Sequence, residues 1–183
     1  MHDPTHLYVH QSLDRLTREE RGAIGFYTGG HHGMINGPLR SGLPPDPEIT
    51  ELVALMDSAL HKYRLSENAR VCRIVGADAF GLEKASAVPE LIGREVVEHG
   101  YLSTEVGRTP PFTIKPQEPV VLQVTVPPGT PALPVRSLTQ VTTENELLLG
   151  RGLSYSILSS RYDERLRMWS LTVFIRPGSG GAS

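Results

Sequence analysis

Apolar residues recur along the chain with two periods, and the change from one to the other divides it. In the first third the spacing is helical. Thr17 stands three residues before Glu20, the spacing of a capping box, and Ile24 and Tyr27 follow on one face. A helix is therefore expected from there to a stop at Gly29-Gly30. Asp46 precedes Pro47 as a cap before a residue suited to the first turn. Ile49, Leu52, Val53, Met56 and Leu60 then share a face, so a second helix is expected to run to about Tyr63 to Leu65.

Beyond that point the period falls to two. Val71 to Val75 is a β-branched run, and Val120 to Val126 sets Val and Leu against Gln123 and Thr125 before the break at Pro127-Pro128-Gly129. Glu144 to Leu149, Leu153 to Ser159 and Met168 to Ile175 read as further strands, whereas Pro89 to Val97 reads as strand or helical turn. Helices first and strands after predict an α+β fold, not a doubly wound βαβ unit. Neither a G-x-G-x-x-G nor a P-loop occurs, so a Rossmann or Walker nucleotide site has no support.

Composition mostly excludes. The 183 residues suit one domain, expected over 1–176, with 177–183 (Pro-Gly-Ser-Gly-Gly-Ala-Ser) as a flexible tail. A single cysteine rules out a disulfide scaffold and a Cys-rich zinc fold. A net charge of −2 speaks against a nucleic-acid partner. No apolar run approaches the ~20 residues that cross a bilayer, so no membrane role is expected. Met1-His2-Asp3-Pro4 does not begin a Sec-type signal, so any export is expected to use another route or a longer parent chain.

The candidate chemistry is carried by a few residues. Glu144 and Glu146 lie two apart at a strand entrance, on one face, about 7 Å apart at Cα. Alone they read as solvated carboxylates at a strand end; with a cation or reacting centre between them they read as a site. Arg73 interrupts the apolar run Val71 to Val75, where a guanidinium needs a partner or a polar cleft. Ser103 and Thr104 follow Tyr101 in a strand-like stretch whose ordinary reading is a wet strand face. His6, His10, His31 and His32 lack carboxylate or cysteine partners at ligand spacing and read as loop histidines, with no metal expected. Cys72 reads as a small buried hydrophobe, and Tyr27 as a core aromatic or a group near a ligand.

Taken in order, these pieces resemble the mono-ADP-ribosyltransferases of the arginine–serine–glutamate type, the bacterial toxin and effector group. The resemblance runs from Leu16-Thr17-Arg18-Glu19-Glu20 through Tyr27-Thr28 and Ile35-Asn36-Gly37-Pro38-Leu39-Arg40 to the last strands. Arg73 matches the strand arginine, Leu102-Ser103-Thr104 the serine–threonine–serine strand, and Glu144-x-Glu146 with Arg151-Gly152 the glutamate motif. The chain departs at Ile74, where the family often has Gly, and at Glu105, the third position of the serine motif. The loop from Ser137 to Thr143 also lacks the aromatic that often serves target recognition.

The resemblance implies N-terminal helices packed on a two-sheet β core and NAD as co-substrate. It implies Glu146 as the catalytic carboxylate, Ser103 as its holder and Arg73 as the phosphate partner. Thr104, Arg108, Tyr27 and Glu146 join Arg73 and Ser103 as cofactor-binding candidates. Glu144, in place of the glutamine of relatives that modify asparagine or guanine bases, implies an arginine acceptor on a target protein. The expected setting is a delivered effector, acting in the target-cell cytoplasm, whose producer would need a cognate immunity protein. The competing expectations are an NAD glycohydrolase, a transferase acting on RNA or DNA, and a non-catalytic binding module on the same fold.

Overall fold

The structure is a computed structural model that describes residues 13–107, 116–135, 138 and 145–180. Helix α1 spans Arg18–Phe26 and opens with the expected reciprocal cap. The Glu20 N–H donates to Thr17 Oγ1 at 3.2 Å, and the Thr17 N–H donates to Glu20 Oε2 at 2.8 Å. The expected stop at Gly29-Gly30 is instead a kink. Residues Tyr27–His31 form a wide π-helical turn with Gly30 at φ 102°, a left-handed value that suits glycine. The chain then continues as α2, His32–Ser41, a helix the glycine pair concealed. Asp46 caps α3, Pro47–His61, by accepting from the Ile49 N–H at 2.9 Å.

Eight strands follow among the described residues: β1 Ala69–Gly76, β2 Glu95–Glu98, β3 Leu102–Val106, β4 Pro119–Val126, β5 Ala132–Pro134, β6 Glu146–Leu149, β7 Leu153–Asp163 and β8 Met168–Ile175. Short 3₁₀ turns at Ala77–Phe80 and Ala85–Leu91 lead into β2, which settles the ambiguous stretch as a turn followed by a strand. The order is β2-β7-β8-β4-β1-β3-β6-β5, antiparallel except for β4 beside β8. The fold is α+β, with helices before a mostly antiparallel sheet.

The two-sheet core takes the form of one hydrogen-bonded ladder that is nearly cut in the middle. β1 matches β4 over all eight of its residues but meets β3 only at Val71↔Val106 and Cys72↔Glu105. Past Cys72 the two strands part. The three strands beyond the break share one apolar core with the five before it: Leu102, Ala132, Leu147 and Leu149 contribute alongside Val71, Leu122, Leu171 and Val173. Their other side meets the helices, where Tyr101, Leu133 and Leu148 join Ile24, Ile35, Val53 and Met56. Leu147, Leu148 and Leu149 are all buried because β6 is covered on both faces, so its sequence does not alternate.

The start of the expected tail is placed against the sheet. Ser179 Oγ lies 2.7 Å from the Arg176 carbonyl, and the Arg176 N–H donates to the Ser154 carbonyl at 2.8 Å. No helix among the described residues is long and apolar enough to cross a membrane.

Candidate active site

The break between β1 and β3 leaves backbone edges without ladder partners, and polar side chains gather there. Arg73 is the first β1 residue beyond the pairing, and its Nη1 donates to the Ser103 carbonyl at 3.3 Å. Ser103 in turn donates from Oγ to Glu146 Oε1 on β6. Three strands distant in sequence thus bring Arg73, Ser103 and Glu146 to one point. Burial pushes the Arg73 pKa down from its ordinary value, but a guanidinium stays charged in water and protein alike.

Two other candidates have structural duties. Thr104 is buried and donates from Oγ1 to the Leu147 carbonyl at 2.7 Å, bracing β3 to β6 on the side away from Ser103. Its hydroxyl is thereby committed to the sheet. Tyr27 is also fully buried and turned edge-on to Tyr101, beneath the site. Glu144 and Arg108 lie outside the described residues, as do His6 and His10. Cys72 sits opposite Glu105, and burial with that carboxylate pushes its thiol up to about 12, so it is inert as a nucleophile.

Asn36, Arg40 and Arg151 carry part of the resemblance in sequence, and the structure gives them, with Asp57, a role as supports of the site. Asn36 on α2 bonds the Tyr101 backbone at both ends: its Nδ2 donates to the carbonyl at 3.0 Å and its Oδ1 accepts from the N–H at 2.8 Å. Nδ2 also donates to Tyr27 Oη at 3.0 Å. Gly100 makes this approach feasible, because a Cβ there would lie 2.7 Å from Asn36 Oδ1 and 3.1 Å from Arg40 Nε. Arg40 forms a two-pronged pair with Glu98, at 2.8 and 3.1 Å. Asp57 on α3 accepts from Arg151 (Nη2 to Oδ2, 2.7 Å) and from Tyr101 Oη (2.6 Å).

Tyr101 precedes the strand of Ser103 and Arg151 follows the strand of Glu146, so one helix carboxylate gathers the ends of both. Burial and the Asp57 charge push the Tyr101 hydroxyl well above its ordinary range, keeping it a donor. The available signals were an asparagine between Ile35 and Leu39 and an aspartate beside Met56, each polar in an apolar helix pattern.

His32 lies edge-on to Tyr27, with ring centroids 6.1 Å apart. Burial, with the Arg73 and Arg40 charges, holds its pKa below the ordinary value.

A helical layer thus lies on a sheet split at its middle, and an arginine, a serine and a glutamate meet at the split. The family model for ADP-ribosyltransferase exoenzymes matches residues 7–169, and the chain belongs to that family, whose enzymes take ADP-ribose from NAD. No curated protein matches the sequence. Among solved structures it is similar to Plx2a, an ADP-ribosyltransferase toxin from Paenibacillus larvae, with 26% identity over 88% of this chain and 87% of that one and a TM-score of 0.78. It is similar to C3larvin, an ADP-ribosyltransferase from the same organism, with 27% identity over 89% and 90% and a TM-score of 0.73. C3stau2 from S. aureus, solved with NAD, shares the fold at 23% identity over 88% of each chain and a TM-score of 0.75.

Proposed function

We propose that the protein is an arginine–serine–glutamate enzyme that moves ADP-ribose from NAD to an arginine side chain of a target protein, as a toxin acting inside another cell. The observation that carries this is the Ser103 hydroxyl bonded to Glu146 at the sheet split, with Arg73 on the Ser103 carbonyl. Breaking the bond between nicotinamide and ribose builds positive charge on the sugar. A carboxylate fixed beside it stabilises that charge without having to reorganise. Glu146 has the charge, and its bond to Ser103 fixes the rotamer. Arg73 spends one N–H on Ser103, and its remaining fork-shaped donors suit phosphate oxygens. Arg108 is a second phosphate candidate from the sequence.

The acceptor is argued from Glu144. A guanidinium holds its proton to a pKa above about 12 and becomes nucleophilic only when a neighbouring carboxylate orients it and takes that proton. A glutamine at the same position could only orient.

Glu146→Ala should reduce both NAD hydrolysis and transfer by at least about a hundredfold, whereas Glu144→Gln should lose transfer to arginine and keep hydrolysis. Labelled NAD, a cell lysate and mass spectrometry of the labelled acceptor read this out. Equal residual transfer in the two variants would refute the division of roles. Label on nucleic acid would refute the protein acceptor, and a folded protein that consumes no NAD would refute the enzyme.

A further inference from the structure

Glu105 stands directly opposite Glu146 in the β3–β6 register. The Val106 N–H donates to the Asn145 carbonyl at 2.9 Å, which makes Val106 and Asn145 a hydrogen-bonded pair. The next pair, Glu105 and Glu146, is then the narrow kind, with Cα atoms about 4.5 Å apart and side chains close. Two carboxylates at such a position repel, and a sheet ordinarily avoids that. Here each has a separate partner: Glu146 Oε1 takes the Ser103 hydroxyl, and Glu105 Oε1 accepts the Asn145 N–H at 3.0 Å. Asn145 lies between Glu144 and Glu146. It is therefore held at its N–H by a side chain and at its carbonyl by the neighbouring strand.

We propose that Glu105 is a positioning residue for Glu146: its carboxylate clamps the Asn145 backbone that leads directly into Glu146, and its charge limits how far into acid the site keeps its anion. The inference rests on the role given to Glu146 above. Among the described residues, several other groups lie near the pair. From β1 come Cys72, opposite Glu105 and neutral, and Arg73, on the Ser103 carbonyl. Tyr27 presents a neutral phenol from below, its pKa raised by burial. Ser103 lies on the same face, and Glu144 precedes the pair in sequence. An anion beside Glu146 makes it easier to protonate, so removing that anion should extend the ionised range downward.

Two variants separate the roles. Glu105→Gln keeps a carbonyl oxygen for the Asn145 N–H and removes the charge; Glu105→Ala removes both. In protein labelled with ¹³C at glutamate carboxyls, the Glu146 titration midpoint should fall by about half to one pH unit in Glu105→Gln. The acid limb of NAD hydrolysis should move with it, and Asn145 amide exchange should stay slow. In Glu105→Ala, Asn145 exchange should speed up about tenfold or more, with a comparable fall in hydrolysis at neutral pH. An unmoved Glu146 midpoint in Glu105→Gln overturns the role of the charge, and unchanged Asn145 exchange in Glu105→Ala overturns the clamp. The NMR readouts need no turnover. A wild type that hydrolyses no NAD yet shows both NMR effects would therefore refute the catalytic reading of Glu146 and leave the coupling standing.

Discussion

The two halves of the sheet are built by different means. In the five-strand half, the central strands rest on long backbone ladders and apolar side chains: β1 matches β4 over eight residues and β7 matches β8 over eight, around Leu122, Val124, Leu171 and Val173. In the three-strand half, β3 matches β6 over four residues and β5 matches β6 over three. Ladders that short leave register weakly fixed, and polar side chains supply what the backbone does not. Thr104 bonds the Leu147 carbonyl, Glu105 the Asn145 N–H, Asn36 both backbone groups of Tyr101, and Asp57 ties Tyr101 to Arg151. The catalytic candidates Ser103 and Glu146 lie in this second half, so its geometry depends on hydrogen bonds that single substitutions can remove. One half carries stability and the other carries alignment.

That division can be broken most directly from the stable side. Leu171 is fully buried in β8, between its pairings with Leu122 and Ser160. Leu171→Ala should cost about 3 kcal/mol of unfolding free energy, while NAD turnover per folded molecule stays within about twofold. Urea unfolding, with activity measured well below the transition, checks both. A large loss of turnover in the folded fraction would mean that the halves are not separable.

The converse test is Asp57→Ala. It leaves the Arg151 guanidinium without its two-pronged partner and the buried Tyr101 hydroxyl without its carboxylate. The cost should be about 2 kcal/mol, less than that of the core truncation. Turnover should nonetheless fall about tenfold, because the strand ends flanking Ser103 and Glu146 lose their common anchor. A drop in stability with turnover preserved would make Asp57 a purely structural residue.

The same contrast explains what could be read from the chain. The capping box at Thr17, the Asp46 cap and the strand runs at Val71 and Val120 are local signals, and each became the expected element. Helix α2 was hidden because Gly29-Gly30 reads as a stop, whereas Gly30 only kinks the chain. Strand β5 was hidden because it is three residues long, ends in Pro134 and directly follows Pro131, too short to carry a period. Arg73 was visible as a guanidinium inside an apolar strand, whereas Ser103 and Glu146, which alone read as a wet strand face and a solvated strand end, were visible only through the family resemblance. The pairing of their supports was not, because Asn36 and Tyr101 are 65 residues apart and Asp57 and Arg151 are 94 apart. Register between distant strands is a tertiary quantity, and side chains that fix it look locally like ordinary polar residues.

The smallest expected effect comes from the helical layer beneath the three-strand half. Glu20 is almost wholly buried, yet it stays ionised. Burial alone would raise its pKa, but bonds from Lys62 Nζ, Ser58 Oγ and the Thr17 N–H outweigh that and hold it below the ordinary carboxylate value. A carboxylate with a depressed folded pKa contributes stability that is present above its unfolded pKa, near 4.3. That stability is lost as pH falls through the lower folded value. Glu20→Gln should therefore cost about 1 kcal/mol at pH 7, and the gap from wild type should close as pH falls from about 5 towards 3. Urea unfolding of the two proteins at pH 7, 5 and 3.5 measures this. A gap that stays constant with pH would assign the Glu20 contribution to shape and neutral hydrogen bonding, leaving charge-based alignment confined to the strands around Glu146.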